Sequence, residues 1–458
     1  MKSVVVDGSY THTLNIPDEW EFSELKNVIN LVGGNQPPKS KFLYEASDNT
    51  IRLIQIRDYK SDQHKVFIQK SDAKRFVNKT DVMIGRYGPP IFQILRGLEG
   101  AYNVALMKAE PVLGSYDKDF LYYYLSNQDI YNYVNSASDR TAGQSGVNKE
   151  HLEKYPVPVV PLAEQQEIVR QLDVMLAQVE QIKARLDAIP AILKKFRQSV
   201  LADAVSGKLI DLPENSFNEY ILSDIAKIID PQPSHRTPPI SLDGIPYIGI
   251  GDLNDSTGEI DFDNARKVSK DVLKEHQERY QLQKGDFIFG KIGTIGKPFV
   301  LPIDREYTLS ANVILIQPRK DIIPEYLHFY LSSPLVMKEI LGDTNSTSQA
   351  AFGIKKMRAL NVKIPNLEIQ QIVVDKVNCL IRTQTNIEKQ IDSAQKRVNV
   401  LTQSILAKAF SGELTAEWRE QHQDLITGIN SAESLLAKIQ KEREASQPVK
   451  KTRKKKEA

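Results

Sequence analysis

The sequence predicts an α+β chain built as an internal repeat, with two mixed α/β domains each followed by a long helix of coiled-coil pattern. Three observations predict it. The 48-residue stretch Leu162 to Leu209 recurs without a gap as Leu367 to Leu414, at an offset of 205. Both copies space their apolar residues alternately by four and three, the seam of a coiled coil. The segments before the two copies share a second series of strand, loop and short-helix patterns. Self-similarity at this scale decides the architecture before any local reading.

In chain order, residues 1–160 form the first mixed domain and residues 211–364 the second. Trp20 to Leu25 (WEFSEL) matches Tyr220 to Ile225 (YILSDI). The strand-like IRLIQIRDY from Ile51 matches IPYIGIGDL from Ile245. DVMIGRYG from Asp81 matches DFIFGKIG from Asp286, and YNVALMKAE from Tyr102 matches ANVILIQPR from Ala311. A short helix follows in each, Asp119 to Asn127 and Pro324 to Ser333. A polar, glycine-containing loop closes each domain, Asp139 to Lys149 and Ser346 to Lys356. One pattern carrying two different sequences suits one scaffold with two specificities.

The long helices occupy residues 161–210 and 365–415. Ile168, Leu172, Met175, Val179, Ile182 and Leu186 define the seam of the first. The offset places Val373, Val377, Leu380, Ile387 and Ile391 on the second, with Gln384 at the position of Val179. An amphipathic helix lying on a globular core is the alternative reading of this pattern. Proline lacks a backbone donor and crowds the preceding turn, so Pro190 predicts a kink or a restart in the first helix. The second has Gln395 there. A helical segment over 416–449 and a basic, disordered tail over 450–458 complete the chain.

Composition narrows the function. At 458 residues, with 41% hydrophobic and 26% charged residues, the chain is an ordinary globular protein of two or three domains. The opening residues lack the apolar core of a signal peptide, and no run is apolar enough to span a bilayer, so a cytoplasmic location is expected. A single cysteine, Cys379, excludes intrachain disulfides and cysteine zinc clusters. The scattered histidines give no metal-binding pair. The tail carries six basic residues against one glutamate, which leaves the body at −3 from a total of +2. Body charge alone therefore predicts no strong affinity for nucleic acid.

Catalytic signatures are missing. Gly290 to Pro298 (GKIGTIGKP) fails as a phosphate-binding P-loop, and Gly249-Ile250-Gly251 lacks the third glycine of a dinucleotide fingerprint. Gly88-Pro89-Pro90-Ile91 and Thr237-Pro238-Pro239-Ile240 lack the polar first residue and aromatic last residue with which adenine methyltransferases grip a flipped base. There is no G-x-S-x-G and no H-E-x-x-H. What remains suits reading. Arg86, Tyr87 and Lys291 follow predicted strands, where a loop can present a cation to a DNA groove; an ordinary strand-end turn with a solvated base is the alternative. Arg57 follows the strand at Ile51. The closing loops carry Arg140, Gln144 and Lys149, then Gln349, Lys355 and Lys356. Arginine suits guanine and glutamine suits adenine in the major groove, whereas lysine mostly meets phosphate. Tyr122, Tyr123 and Tyr124 read as core rather than as stacking platforms.

At the residues Pro161 to Gln166 (PLAEQQ), their counterpart at Pro365 to Gln371, the duplicated helices and Leu401 to Arg419 (LTQSILAKAFSGELTAEWR), the chain resembles the specificity subunits of type I restriction-modification systems. Leu425 to Ser446 looks most like the enterobacterial K-type (type IA) branch. One departure is Ile369, which stands where the acidic residue of the E-Q start belongs.

The resemblance implies a complete fold, with two target-recognition domains separated by two long antiparallel coiled-coil helices about a pseudo-two-fold axis. It implies that each domain reads one half of a bipartite, asymmetric sequence in double-stranded DNA and that the helices set the spacer. It implies two modification subunits that methylate adenine N6 and two restriction subunits that cleave DNA, with the 416–449 segment touching partner subunits. S-adenosylmethionine, ATP and magnesium would sit on those partners, and this chain would bind no cofactor and catalyse nothing. A paired, duplicated chain offers two equivalent docking surfaces to two identical partners. Two other readings stay open, a catalytic DNA methyltransferase and an adaptor that uses the helices only to bind proteins.

Overall fold

A computed structural model describes residues 1–6, 10–138, 146–234, 236–254, 259–342 and 352–446. The chain forms two compact units, Met1–Ala184 with Ala394–Ala458, and Arg185–Ser393. The division passes through both long helices, Leu162–Val205 and Leu367–Phe410. Each unit therefore holds the start of one copy and the end of the other. In the first unit, Ile168 and Leu172 share a core with Leu406, Ala409 and Phe410. In the second, Val200, Leu201, Ala204 and Val205 share one with Val373, Val374 and Val377. The start of each helix lies with the end of the other, so the copies run antiparallel.

In the first unit the central sheet has the order Ile29–Gly33, Leu106–Pro111, Val82–Gly85, Gln93–Leu95, all antiparallel. A second sheet pairs Thr50–Ile54 with Gly100–Tyr102 in parallel, flanked by Phe67–Gln69 and Phe76–Val77. The second unit repeats the plan. Its central sheet runs Ala226–Ile229, Val313–Pro318, Phe287–Gly290, Gly296–Val300. Its smaller sheet pairs Ile245–Ile248 in parallel with Thr308–Leu309. Val82–Gly85 and Phe287–Gly290 are buried at every position, as the unbroken apolar runs of DVMIG and DFIFG require of a central strand. Short helices Lys118–Leu125 and Pro324–Ser332 follow, and Tyr124 is buried in the core as expected.

Hydrogen bonding corrects two of the matches made from sequence. Leu25 N donates to Tyr155 O (2.9 Å) and Leu222 N to Leu360 O (2.8 Å). With Val159 opposite Glu21 and Pro365 opposite Phe217, this register makes Phe217, not Tyr220, the counterpart of Trp20. Likewise Leu106 lies opposite Gly85 and Val313 opposite Gly290, so Tyr102 corresponds to Leu309, two residues before Ala311. The second correction is a shift of two, which keeps every strand side chain on its face, so sequence alternation cannot detect it. The first is a shift of three, across strands Glu21–Glu24 and Phe217–Ile221 that carry no regular buried–exposed alternation to reveal it.

The long helices also depart from expectation. The first is continuous through Pro190, with no restart. Of the expected seam, Ile168, Leu172, Val179, Val373, Val377 and Ile391 are buried, and Met175, Leu186 and Leu380 half-buried. Ile182 (44% exposed) and Ile387 (38%) are not closed over. At the helix ends burial widens to adjacent positions such as Ile168 with Val169 and Val373 with Val374, because those turns lie on globular cores and need a broad apolar stripe. The two alternatives for the helices thus divide by position along them. The described part of the 416–449 segment, residues 416–446, folds back on its own unit. Ala432 and Ile439 enter that core, and the Arg443 guanidinium donates to Lys26 O (2.6 Å) and Asn27 O (2.9 Å). The 450–458 tail lies outside the described residues.

Candidate nucleic-acid interface

Each unit assembles one station from three turns and the end of its closing loop. The first turn follows the parallel strand. In it Asp58 accepts Gln55 N–H (2.8 Å), and Asp252 accepts Gly249 N–H (2.7 Å), so residues 55–58 and 249–252 are equivalent. Burial holds the Asp252 carboxyl above the ordinary carboxylate value, against the Gly249 N–H bond, which lowers it. The second turn leaves the central strand at Gly85 or Gly290. A Cβ on Gly85 would meet the Ile56 side chain at 3.4 Å, and one on Gly290 would meet Ile250 at 3.1 Å. The first two turns therefore lie side by side in both units. The third turn precedes the next strand, where Arg86 N donates to Ala105 O and Lys291 N to Asn312 O, both at 2.9 Å. The closing loop then returns to the same place. Val147 N donates to Arg86 O (2.9 Å) and Phe352 N to Lys291 O (2.9 Å).

The station therefore gathers many of the residues expected to read DNA. Arg57 and Tyr87 are exposed in the first unit, and the Arg86 guanidinium lies 5.3 Å from the Tyr87 ring centroid. Arg86 has no carboxylate partner among the described residues, and its buried Nε makes no hydrogen bond. The buried Nε2 of Gln55, which the sequence did not single out, has no acceptor either. Arg140, Gln144 and Gln349 lie outside the described residues.

Lys291 requires a correction. Its ammonium is buried and bonded to Asp230 Oδ2 at 2.8 Å. In the first unit the position of Asp230 is Gly33, so Arg86 keeps its charge available while Lys291 is neutralised from within. The closing-loop lysines also part company. Lys149 opens the short helix Lys149–Glu153 and pairs with Glu153 at 3.4 Å. Its register counterpart is Ile354, and the helix Ile354–Arg358 instead exposes Lys355, Lys356 and Arg358.

A repeated glutamine ties each station's unit to its long helix. Gln165 Nε2 donates to Val160 O (2.8 Å) and Ser115 O (2.9 Å), and its Oε1 accepts Asp117 N–H (2.8 Å). Gln370 Nε2 donates to Pro365 O (2.8 Å), and its Oε1 accepts Ile323 N–H (2.8 Å). Asp117 and Ile323 are the N-caps of the equivalent short helices. The amide thus satisfies a helix-start donor that has no partner within its own helix.

A duplicated chain that presents two side-chain versions of one polar station is a two-headed recognition protein. The family model for the type I restriction modification DNA specificity domain matches it twice, over residues 17–191 and 215–395, and the chain belongs to that family. It is 33% identical to the type I restriction enzyme EcoBI specificity subunit of Escherichia coli, across 98% of each chain. It is 31% identical to the EcoKI specificity subunit of Escherichia coli strain K12, across 96% of this chain and 99% of that one. The StySPI specificity subunit of Salmonella potsdam is 28% identical over 96% and 99%. The resemblance to the enterobacterial branch therefore holds. Among solved structures, a chain from work on complex assembly and conformational transition of the type I R-M system superimposes with a TM-score of 0.65 at 17% identity, covering 87% of this chain and 99% of that one. The HsdS subunit from Thermoanaerobacter tengcongensis gives 0.55 at 18%, covering 87% and 98%, and at these identities both matches speak for the fold. The chain's role is DNA specificity within a type I restriction-modification complex, and catalysis lies in the partner subunits. Among the described residues no helix is long and apolar enough to cross a membrane.

Proposed function

We propose that the first unit reads one half of a bipartite, asymmetric DNA site and the second unit the other, with the long helices setting the unread gap. The observation that carries this reading is the station itself, one arrangement of turns furnished with different side chains in the two units. In this reading two modification subunits dock on the helices and use S-adenosylmethionine to methylate adenine N6. Two restriction subunits use ATP and magnesium to cleave DNA. This chain holds none of these cofactors. A pseudo-two-fold relation between the copies would suit two identical partners, because it would offer each the same surface. Exposed lysines such as Lys355 and Lys356 would meet phosphate, and Arg57, Arg86 and Tyr87 base edges.

A gap set by the helices is tested by lengthening both. The inserts go between Ala184 and Arg185 and between Ser393 and Ala394, away from the buried helix ends. Seven residues in each preserve the apolar face and add about 10 Å of helix, at about 1.5 Å per residue. Duplex DNA rises about 3.4 Å per base pair, from roughly 34 Å per turn, so the gap should widen by about three base pairs. Mapping methylated adenines with the reconstituted methyltransferase gives the gap directly. An unchanged gap with both half-sites intact would remove the helices from that role.

A further inference from the structure

We propose that the station's specificity-determining positions are Gln55, Arg57 and Tyr87 in the first unit and Gly249, Gly251 and Ile292 in the second. The first unit reads by projecting side chains. The second reads by receiving a base edge of duplex DNA into a cleft. This inference rests on the division of labour proposed above and adds the residues and the mode of reading.

The equivalences come from the shared hydrogen bonds. The aspartate-closed turn pairs Gln55 with Gly249 and Arg57 with Gly251, and the strand exit pairs Tyr87 with Ile292. Of these residues, Gln55 and Arg57 become glycines in the second unit, while the frame of Asp58 and Asp252 is kept. The second unit has a cleft of about 410 Å³ at this place, with Gly249, Gly251, Tyr247, Arg266, Ile292 and Asn312 among its lining residues. Its wall is held by its own bonds. Ala311 N donates to the Tyr247 hydroxyl (3.1 Å), and Arg266 Nη2 donates to Pro238 O (2.7 Å). A Cβ on Gly249 would lie 2.6 Å from Ser310 Oγ and 2.7 Å from Asn312 Oδ1, so only glycine lets that backbone reach the polar wall.

The first unit is the complement. Among the described residues Gln55 Nε2 and Arg86 Nε are buried donors without acceptors, a costly state that turning either side chain outward to a ligand's acceptor would relieve. Base edges in the major groove carry such acceptors, the N7 and O6 of guanine and the N7 of adenine. With Arg57 and Tyr87 exposed beside them, the first unit offers donors and a ring.

Gly251 makes the test clean. A Cβ there meets nothing within 4 Å, and the residue is exposed, so Gly251→Arg places the first unit's side chain in the second without a clash. The reciprocal variant is Arg57→Gly. Each is assembled as the full chain with modification subunits, and its methylation sites are sequenced against the parent complex. Gly251→Arg should lower methylation of the parental sequence about ten- to a hundredfold through one half-site, and Arg57→Gly by a similar factor through the other, as expected for one good base contact. The untouched half and the gap stay as in the parent and report that the chain is folded and assembled. Changes by both variants at the same half, or at neither half of a two-part parental site, overturn this inference and leave the division of labour standing. A parent complex without a two-part site overturns both.

Discussion

The first long helix begins on a buried carboxylate, and the second begins on isoleucine at the same position. Glu164 accepts from Arg419 Nε (2.9 Å), Thr415 Oγ1 (2.8 Å) and the Trp20 indole N–H (2.8 Å), all within the first unit. In the second unit Ile369 packs on the core that also takes Leu209 and Ile210. The partners change together. Thr415 and Ile210 each follow the repeated stretch, and Phe217, which stands where Trp20 does, has no side-chain N–H to offer. The departure at Ile369 is thus one member of a coordinated exchange from polar to apolar. Gln165 and Gln370, one residue on, share two bonds, to the carbonyl five residues before and to the N-cap N–H of the short helix. The frame is repeated, while each junction is wired to its own neighbours.

Breaking the polar junction should have the largest effect. Arg419→Met leaves Glu164 buried without its cation, and removing one member of a buried pair costs about 3–5 kcal/mol. Amide hydrogen exchange should show protection falling in the first unit while the second is unchanged. Copying the apolar junction with Trp20→Phe, Glu164→Ile and Arg419→Met together should restore most of that protection, since apolar replacement of buried pairs is often neutral. A triple variant as weak as the single would mean that the two junctions are not interchangeable solutions.

The stations predict a smaller contrast. Lys291→Met strands Asp230, whose side chain is 14% exposed, and should cost the second unit about 2–4 kcal/mol with little change in the bases read. Arg86→Met should stay within about 0.5 kcal/mol in stability yet weaken reading at one half-site. Exchange protection and methylation mapping together separate the two. The reverse pattern would return Lys291 to the interface.

The glutamines should show the smallest difference, because the comparison makes them alike. Gln165→Ala and Gln370→Ala each leave a short-helix N–H without its acceptor, at about 1–3 kcal/mol apiece. Gln165→Ala should be the larger, having three bonds to lose against two. Exchange at Asp117 and Ile323 reads each loss separately. Faster exchange in the short helix of only one variant would end their equivalence.

Much of this was legible in the residues. The gapless repeat, the helical spacing and the buried runs DVMIG and DFIFG all record periodicity along the chain, and periodicity determines element type and order. The same patterns placed Arg86 and Lys291 at strand exits. The missing catalytic signatures directed attention to reading rather than chemistry. Other features depend on which residue lies opposite which, and only the tertiary structure decided them. Asp230 lies 61 residues from the Lys291 it neutralises, and Glu164 lies 255 residues from Arg419. No local spacing records such pairs, because they form only when separate strands or helices pack together. The offset at Tyr102 was hidden for a related reason, since alternation survives a slip of two and only the partner strand's hydrogen bonds choose the register.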